Sequence, residues 1–309
     1  MTNLLHVTDQ VRCYDPLGNE ISCRNSGQDA SQKWSDKSLI ASNSRFQSKN
    51  SVVTDSLTGH IWAQNANPGE YPLSWQEAHE FIEALNKKEY SGFSSWRMPD
   101  RRALFSLLSH QFINPALPMG HPFENIFPGY YWTCDTCKRL PDQAWYVHMG
   151  GGRVFRGMKH GAYLTWPVIQ KAQNEKQTGK RFSTKPPLVF DHENQSSWLV
   201  EPNSCLEALT WHDALQNIQD LNRKQAFGST GWRLPNIREL ESVVDVKTHS
   251  PAIFSALRDI NIAPGYWSST TSVYEPRYAW VLYTRDGEIG VGFKQRADFF
   301  RLAVTDTII

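Results

Sequence analysis

The chain has 309 residues, and its 32 Lys and Arg residues nearly balance its 31 Asp and Glu residues. Because the formal net charge is only +1, no global field attracts nucleic acid or an anionic membrane surface. No apolar run approaches the roughly 20 residues of a membrane-spanning helix, and the residues after Met1 lack the apolar stretch of a signal peptide. We therefore expect either a cytosolic protein or a chain that begins after a removed leader.

A duplication of one domain dominates the sequence. The Trp-Arg-Met-Pro string at 96–99 recurs as Trp-Arg-Leu-Pro at 232–235, a separation of 136 residues (232 − 96). Five tryptophans recur at this spacing or one residue less: Trp62, Trp75, Trp96, Trp132 and Trp145 match Trp198, Trp211, Trp232, Trp267 and Trp280. Such agreement indicates two copies of one domain, each long enough to bury its own core. We expect most of these indoles to lie in that core.

The duplication sets the predicted boundaries. An arm at residues 1–44 precedes the first copy at 45–168, and a polar, lysine-rich linker at 169–180 leads to the second copy at 181–309. In the arm, Cys13 and Cys23 flank a segment whose Pro16 and Gly18 favour turns, which predicts a short hairpin. A disulfide there would add about 2–3 kcal/mol and imply an oxidising compartment, whereas two buried free thiols are the alternative.

Each copy is predicted to begin with a strand pair, at residues 52–53 and 60–63 in the first copy, followed by a helix. Both first helices start at residues spaced as a capping box, with a hydroxyl first and a carboxylate three positions later. These residues are Ser74 with Glu77, and Thr210 with Asp213. Asp100 and Asn236 then have the character of N-caps for a second helix in each copy.

Long stretches rich in Pro, Gly and Asn follow the helices, at residues 110–129 and 247–265. Because both copies keep them, with Pro115 and Pro251 in register, we expect ordered loops. Short strands then close each copy; in the first they are predicted at residues 130–133, 144–148, 153–157 and 163–168. Helices followed by antiparallel strands indicate an α+β fold.

Several motifs together carry a family resemblance. They are Val-Thr-Asp-Ser-Leu-Thr-Gly-His-Ile-Trp at 53–62, Trp-Arg-Leu-Pro-Asn at 232–236 and Tyr-Trp-Ser-Ser-Thr at 266–270. Both copies resemble the bacterial Lcl C-terminal domain family, also called DUF1566. The resemblance implies two tandem C-type-lectin-like domains, each with two helices, a twisted antiparallel sheet and long loops. It also implies an exported or surface protein; in the collagen-like adhesins that gave the family its name, the domain binds sulfated polysaccharide.

The repeated Trp-Arg motif allows two interpretations. An arginine stacked on indole would present its guanidinium to an anion. Alternatively, the tryptophan is buried and the arginine ties a loop to the second helix, which the position of the motif at a helix start favours. The motif residues are Trp96, Arg97 and Pro99 in the first copy and Trp232, Arg233 and Pro235 in the second.

Cys134 and Cys137 form a C-x-x-C pattern that is compatible with a local disulfide, a redox pair or half of a zinc site. Zinc needs further ligands, but Cys205 stands alone in the second copy, and nothing in the spacing of His148 and His160 demands a site. A redox pair usually opens a helix after a strand in a βαβ setting, which the pattern lacks. We therefore expect the local disulfide, with a cysteine-dependent redox or metal enzyme as an alternative function.

A basic cluster near the end of the first copy is the leading ligand-binding candidate. Its members are Arg153, Arg156, Lys159 and His160, and the second copy has Glu288, Val291, Lys294 and Gln295 at those places. The fold does not require this charge, although a solvated strand face is the alternative, and residues 153 and 156 do not share a strand face. Tyr130 and Tyr274, in the stretches 110–143 and 247–278, are further ligand-binding candidates.

No Ser-His-Asp order, phosphate-binding glycine loop or His-Glu-x-x-His motif is present. The segment 201–203, Glu-Pro-Asn, is misplaced for a lectin calcium site, and no acidic cluster supplies the roughly six to eight oxygens that calcium needs. We predict a non-catalytic exported or surface protein, without metal or cofactor, that recognises a polysaccharide, a glycan or a surface protein. A structural component of a surface appendage is a further alternative.

Overall fold

The computed structural model describes residues 6–32, 42–170, 180–201, 207–258 and 262–306. The chain divides into two compact units, Asp36–Gln173 and Met1–Ser35 with Asn174–Ile309. Most of the arm therefore belongs to the same unit as the second copy. Cys205, most of the predicted linker and residues 202–203 lie outside the described residues. In the described parts of the chain, no helix is long and apolar enough to cross a membrane.

The arm forms the predicted hairpin. Strand β1 (Cys13–Tyr14) pairs antiparallel with β2 (Glu20–Ile21). The Asp15 carboxylate accepts hydrogen bonds from the backbone N–H groups of Leu17 and Asn19, at 2.8 and 2.9 Å, and so closes the turn. A disulfide joins Cys13 to Cys23, whose Cα atoms are 5.2 Å apart, which confirms the predicted pairing.

The first copy consists of short helices and antiparallel strands. Its helices are α1 (Ser42–Arg45), α2 (Trp75–Lys87) and α3 (Arg101–Leu107). Its strands are β3 (Phe46–Lys49), β4 (Val52–Asp55), β5 (Ile61–Ala63), β6 (Tyr130–Thr136), β7 (Gln143–His148), β8 (Val154–Met158) and β9 (Val168–Ile169). One antiparallel sheet has the order β3-β4-β5-β9, and β6, β7 and β8 pair consecutively as an antiparallel meander.

The second copy repeats this arrangement. Its helices are α4 (Trp211–Arg223), α5 (Ile237–Ser242) and α6 (Ser255–Arg258). Its strands are β10 (Phe182–Lys185), β11 (Leu188–Asp191), β12 (Ser196–Leu199), β13 (Gly265–Thr271), β14 (Tyr278–Tyr283), β15 (Glu288–Phe293) and β16 (Ala303–Thr305). The sheet order β10-β11-β12-β16 and the meander β13-β14-β15 match those of the first copy. The α+β class is confirmed.

The helices begin where the sequence predicts. Ser74 and Glu77 form a complete capping box at α2, and the Asn236 side chain caps α5. The Asp100 carboxylate accepts from the backbone N–H of Ala103, at 2.8 Å. One strand prediction is wrong, because residues 163–168 are not a continuous strand. Tyr163 and Leu164 form isolated bridges, and only Val168 and Ile169 form a strand, which joins β5. A proline at 167, which lacks a backbone N–H, precedes that short strand.

A buried ion pair explains why Arg-Phe recurs at the start of each copy. Arg45 binds Asp55 through two hydrogen bonds of 2.8 and 2.7 Å, and neither side chain is exposed. The same guanidinium also donates to the backbone carbonyl of Ser106, at 2.8 Å, and so fastens the first sheet to the end of α3. In the second copy, Arg181 binds Asp191 in the same way, at 2.8 Å.

The repeated tryptophans fill the cores. Nine of the ten are buried, and only Trp75 is partly exposed. In the second copy, Trp211 and Leu215 of α4 pack with Trp267 and Val281 on one face of the meander, and α5 packs against the same strands. In the first copy, the Arg101 guanidinium of α3 lies 4.5 Å from the Trp145 ring centroid. The prediction that most of these indoles are core residues is confirmed.

The arm is bound to the second copy through side-chain hydrogen bonds. Gln10 bonds both the backbone N–H and the carbonyl of Thr271, at 3.0 and 2.7 Å. The Thr270 hydroxyl donates to the Asp29 carboxylate at 2.6 Å, and Asn236 donates to the backbone carbonyl of His6 at 2.7 Å. Thr270 and Thr271 at the end of β13, together with Asn236, therefore attach the arm to the second copy.

A buried lysine lies beneath the arm. The Lys294 ammonium group lies 4.0 Å from the Trp211 ring centroid and contacts the Thr271 hydroxyl at 3.0 Å and the Tyr14 carbonyl at 3.4 Å. Burial lowers its pKa to about 7, although Asp15 favours the charged form. The arm thus covers a lysine that is about half deprotonated at pH 7.

Candidate functional site

Aromatic rings gather at one end of the meander in the first copy. Tyr130 stands opposite His148 in register, and Tyr146 stands opposite Phe155, so the four side chains share one face of the sheet. Tyr163, which follows β8 in the chain, packs on the same face against Tyr130 and Tyr146. We call these five residues the aromatic patch.

Tyr130 is the centre of the aromatic patch. Its ring centroid lies 4.7 Å from that of Tyr146, 4.8 Å from that of His148 and 5.5 Å from that of Tyr163. Tyr130 is 44% exposed and Phe155 is 38% exposed. The patch therefore offers solvent a joined set of flat apolar rings, held in place by ring-to-ring packing.

A glycine makes room for this packing. A Cβ atom at Gly157 would lie 2.7 Å from Cε2 of Tyr163 and 2.9 Å from its hydroxyl oxygen. Real Cβ atoms do not approach other atoms so closely, so any larger residue here would displace the Tyr163 ring from the sheet. The position of Tyr163 in the aromatic patch therefore depends on Gly157.

A cation lies beside His148 at one edge of the aromatic patch. Arg153 is exposed and lies just before β8, next to the end of β7 that carries His148. Burial lowers the pKa of the His148 imidazole, and the Arg153 guanidinium lowers it further. His148 is therefore neutral at pH 7, and Arg153 supplies the charge, with a planar fork of donors suited to a carboxylate or sulfate.

The predicted long loop of the first copy ends beside the aromatic patch. The backbone N–H of Asn114 donates to the Gly150 carbonyl at 2.9 Å, and that of Met149 donates to the Gly129 carbonyl at 2.7 Å. Phe127, which is 61% exposed, is fixed by a hydrogen bond from its N–H to the Tyr131 hydroxyl, at 2.9 Å. The loop is ordered, and its exposed Phe127 ring precedes Tyr130 closely in the sequence.

The structure does not bring the predicted basic cluster together. Arg153 and Lys159 lie at opposite ends of β8, about 20 Å apart at the usual rise of a strand. The Arg156 guanidinium lies 6.0 Å from the Trp145 ring centroid and 5.0 Å from the Phe155 ring centroid. Lys159 lies 4.3 Å from the Trp75 ring centroid, and His160 is exposed in the following turn. Arg153 borders the aromatic patch beside His148, and Arg156 borders it beside Phe155.

The second copy lacks the aromatic patch. At the places of Tyr130, Tyr146, His148, Phe155 and Tyr163 it has Gly265, Val281, Tyr283, Gly290 and Phe299. Two of these are glycines, and Val281 and Phe299 belong to the buried core. Tyr274 is 65% exposed after β13 but has no ring contact with any described residue. It therefore does not extend a patch of this kind.

The predicted Cys134–Cys137 disulfide is wrong, because both cysteines are free thiols. Strand β6 runs through Cys134 to Thr136, so residues three positions apart are separated by about 10 Å, beyond the reach of a disulfide. Burial, together with the carboxylates of Asp135 and Asp100, raises the pKa of the Cys134 thiol to about 12. The thiolate needed for redox or metal chemistry is thus strongly disfavoured.

Metal ligands do not cluster around these thiols. Over the described ranges, no three His, Cys, Asp or Glu side chains are grouped in a way that could hold a metal ion. Cys137 is buried, and its backbone N–H donates to the Gln143 carbonyl at 2.9 Å as part of the link between β6 and β7. The geometry gives Cys137 a packing role.

The Trp-Arg motif divides into a structural half and a variable half. The Trp96 backbone exchanges two hydrogen bonds with the Asn86 side chain, and the Trp232 backbone does the same with Asn222. Both indoles are buried. The arginines differ: Arg233 is buried against Glu239 and Asp306, and their charges raise its pKa despite burial.

Arg97, by contrast, is exposed. The first copy has Ala103 and Gln170 at the places of Glu239 and Asp306, so it lacks the carboxylates that hold Arg233. Within the described residues, Arg97 makes no ion pair. The tryptophan and the backbone of the motif thus serve the fold in both copies, whereas the arginine side chain faces solvent in the first copy only.

The two copies each match the model of one protein family. The Lcl C-terminal domain family matches residues 51–169 and 187–304, which together span most of the chain. The chain belongs to this family. No curated protein matches the sequence. The two Lcl C-terminal domains correspond to the two copies, and neither match includes the arm.

Sequence reasoning found Tyr130 and Arg153 but missed the other four rings of the aromatic patch. A signal for them was present, because these positions differ between the two Lcl C-terminal domains while the neighbouring Tyr131, Trp132 and Trp145 recur. Alternation along β7 and β8 places the differing residues on one face. Comparing the copies face by face would have identified the patch.

Proposed function

We propose that the protein binds an anionic polysaccharide or glycan at the aromatic patch of its first Lcl C-terminal domain. The observation that carries this proposal is the set of five packed rings around an exposed Tyr130, with no equivalent in the second copy. Exposed, rigid aromatic rings suit the apolar faces of sugar rings, because they offer a large contact area at little entropic cost.

Charge supports an anionic ligand. Arg153 adjoins the aromatic patch and is exposed, and its guanidinium can bind the two oxygens of a carboxylate or sulfate at once. The neutral His148 adds a polar edge between the rings and this cation. Sugar rings with acidic substituents would use both the aromatic surface and the arginine.

Two further observations support a lectin-like fold and export of the protein. Helices and an antiparallel meander in each copy, with an ordered long loop in the first, support a C-type-lectin-like arrangement for these domains. The Cys13–Cys23 disulfide supports an exported protein, because such bonds persist in oxidising compartments. A surface-exposed or secreted polysaccharide-binding protein is the function that we propose.

Binding to immobilised heparin, with chemically desulfated heparin as the comparison, tests the proposal. Tyr130→Ala removes the central ring and is expected to weaken heparin binding at least about tenfold, as for a central contact residue. Tyr274→Ala is the matched control, because it removes an exposed tyrosine outside the patch. Arg153→Gln is expected to abolish most of the preference for the sulfated polymer and to reduce the salt dependence of binding.

Equal binding by the Tyr130→Ala and Tyr274→Ala variants would overturn the assignment of the site. No binding of the unaltered protein to heparin, to its desulfated form or to an array of acidic glycans would overturn the ligand class. Circular dichroism of each variant establishes that it is folded.

A further inference from the structure

The arm and the second copy enclose one lysine side chain. Lys294 directly follows β15, and its side chain has no exposed surface. The ammonium group lies 4.0 Å from the Trp211 ring centroid on one side and 6.0 Å from the Tyr14 ring centroid on the other. The backbone N–H of Trp211 also donates to the Lys294 carbonyl, at 3.0 Å. Lys294 is therefore held between helix α4 and the hairpin of the arm.

The first copy contains the same lysine without an arm above it. Lys159 is the counterpart of Lys294 (294 − 159 = 135), and its ammonium group lies 4.3 Å from the Trp75 ring centroid. The backbone N–H of Trp75 donates to the Lys159 carbonyl at 2.9 Å, as in the second copy. Lys159 and Trp75 are partly exposed, whereas Lys294 and Trp211 are buried. A lysine over a tryptophan is thus a feature of the domain, and the arm is what removes it from solvent.

The closed arm compensates the charge of this lysine poorly. An ammonium group has three N–H donors, and Lys294 has two acceptors, the Thr271 hydroxyl at 3.0 Å and the Tyr14 carbonyl at 3.4 Å. The Tyr14 carbonyl already accepts from the Gln28 amide at 2.9 Å. In the described part of the chain, no carboxylate forms an ion pair with Lys294. Because a buried cation without a counter-ion is costly, the closed arm favours the neutral amine.

One carboxylate of the arm acts against this preference. Asp15 favours the charged form of Lys294, but burial outweighs it and lowers the pKa of the amine from its usual 10.5 to about 7. The other ionisable side chains next to these contacts are Tyr14 and Asp29 of the arm, exposed His212 of α4, the exposed Glu275–Arg277 pair before β14, and the Arg296–Asp298 pair after Lys294.

The arm has internal links that do not involve the second copy. The disulfide and the β1–β2 pairing hold the hairpin, and Gln28 exchanges two hydrogen bonds with the backbone of Tyr14, at 3.0 and 2.9 Å. Its attachments to β13 are hydrogen bonds, chiefly the pair between Gln10 and the Thr271 backbone. The arm is therefore able to leave the second copy as one body and to return.

We propose that the arm is a proton-controlled cover of the second copy, which closes over Lys294 when the amine is neutral and opens when the amine takes up a proton. Protonation places a cation in the closed interface, whereas water hydrates that cation in the open state. Opening therefore becomes more frequent as the pH falls from 9 to 7. Below pH 7 it levels off, because the lysine is then protonated in both states.

The expected change is large enough to measure. With a pKa of about 7 in the closed state and the usual value in the open state, the opening equilibrium should rise about 50-fold from pH 9 to pH 7. From pH 7 to pH 5 it should rise only about twofold. This inference concerns the second copy and does not depend on polysaccharide binding by the first.

Hydrogen exchange of single amides in the full chain tests the proposal between pH 5 and 9. The reporter is the N–H of Thr271, which donates to the Gln10 side chain at 3.0 Å and loses this partner when the arm leaves. The reference is the next amide, Ser272, which donates to the Tyr278 carbonyl within the second copy at 2.9 Å. Dividing each rate by the intrinsic rate at the same pH removes the catalysis of exchange by hydroxide.

The protection factor of Thr271 should fall about 50-fold from pH 9 to pH 7 and should stay at least about tenfold below that of Ser272. Lys294→Met keeps an unbranched side chain and removes the titrating group, so this pH dependence should shrink to less than about twofold. Lys159→Met is the matched control in the first copy and should leave it unchanged. His6→Gln and His212→Gln, which remove imidazoles near the arm, should also leave it unchanged.

A second variant tests the same linkage without altering the lysine. Asp15→Asn keeps an oxygen for the N–H groups of Leu17 and Asn19 but removes the charge that favours protonated Lys294. The pH at which Thr271 protection levels off should therefore fall. This variant decides the matter if Lys294→Met does not fold.

Three results would overturn the proposal. The first is a Thr271 protection factor in the unaltered chain that does not change between pH 9 and 7. The second is an unchanged pH dependence in Lys294→Met or, where that variant does not fold, an unchanged levelling point in Asp15→Asn. The third is equal protection of Thr271 and Ser272 at every pH, because the whole second copy would then unfold in place of the arm opening.

Discussion

Replacing Asp55 by Asn is expected to destabilise the first copy by about 3–5 kcal/mol, because it leaves the Arg45 guanidinium buried without its counter-ion. Both side chains are fully buried and are joined by two short hydrogen bonds. Burial raises the pKa of the Asp55 carboxyl, but Arg45 outweighs this and holds that pKa below its usual value. Asn keeps the size of the side chain and removes only the charge, so the loss reports on the ion pair.

The duplication supplies a matched substitution. Asp191→Asn in the second copy removes the same charge from Arg181, whose side chain is 17% exposed and has Glu193 at 3.3 Å as a second partner. After this substitution, solvent and the Glu193 carboxylate still stabilise the Arg181 guanidinium. We therefore expect the free energy of unfolding of the second copy to fall by about 1–2 kcal/mol. Each aspartate also accepts a backbone N–H two residues later, so this turn contribution is common to both substitutions.

Hydrogen exchange measured by mass spectrometry across a urea series separates the two copies. Peptides covering β3 to β5 report on the first, and peptides covering β10 to β12 report on the second. The first copy should lose about 2 kcal/mol more in Asp55→Asn than the second loses in Asp191→Asn. Equal losses, or a greater loss from Asp191→Asn, would refute the argument that burial of the arginine sets the cost.

Three further outcomes are expected. The pKa of Lys294 is lowered to about 7 in the folded protein, so above that pH unfolding is accompanied by uptake of a proton. The free energy of unfolding of the unit that contains Lys294 should therefore rise by up to about 1.4 kcal/mol per pH unit between pH 7 and 10. Lys294→Met should flatten this rise in urea midpoints; a parallel rise in both proteins would contradict it. Replacing Cys13 and Cys23 by Ser should lower the free energy of unfolding of the same unit by about 2–3 kcal/mol and leave that of the first copy unchanged. An equal loss of hydrogen-exchange protection in the first copy would contradict this expectation. Gly157→Ala should displace the Tyr163 ring, cost about 1–3 kcal/mol and weaken heparin binding, whereas unchanged thermal unfolding and binding would disprove the packing.

Much of the fold follows from local sequence signals. Capping residues such as Ser74 and Asp100 act on backbone groups within three positions, so their spacing alone locates the helix starts. The repeat located the two copies because matching residues, such as Trp132 and Trp267, occupy matching buried sites. Signals of this kind depend on near neighbours in the chain or on direct comparison of the two copies.

Long-range placement was harder to predict. The arm binds Thr270 through Asp29, and nothing within either segment identifies the other across more than 200 residues. Strand alternation already separated Arg153 from Arg156 in the sequence, but the position of Lys159 over the Trp75 ring depends on α2, far earlier in the chain. The prediction of a Cys134–Cys137 disulfide was wrong because these two residues lie along an extended strand, which holds them too far apart.

The binding of the arm to the second copy also determines which fragments of this protein can be studied alone. The second family match begins at residue 187, so a fragment cut at that boundary loses both the disulfide hairpin and Arg181. Trp211 and Leu215, buried in the whole chain, would then face water. A fragment of the first copy needs no such cover, because Trp75 and His79 occupy those places partly exposed already. Two domains of one family thus differ in what each needs in order to be complete.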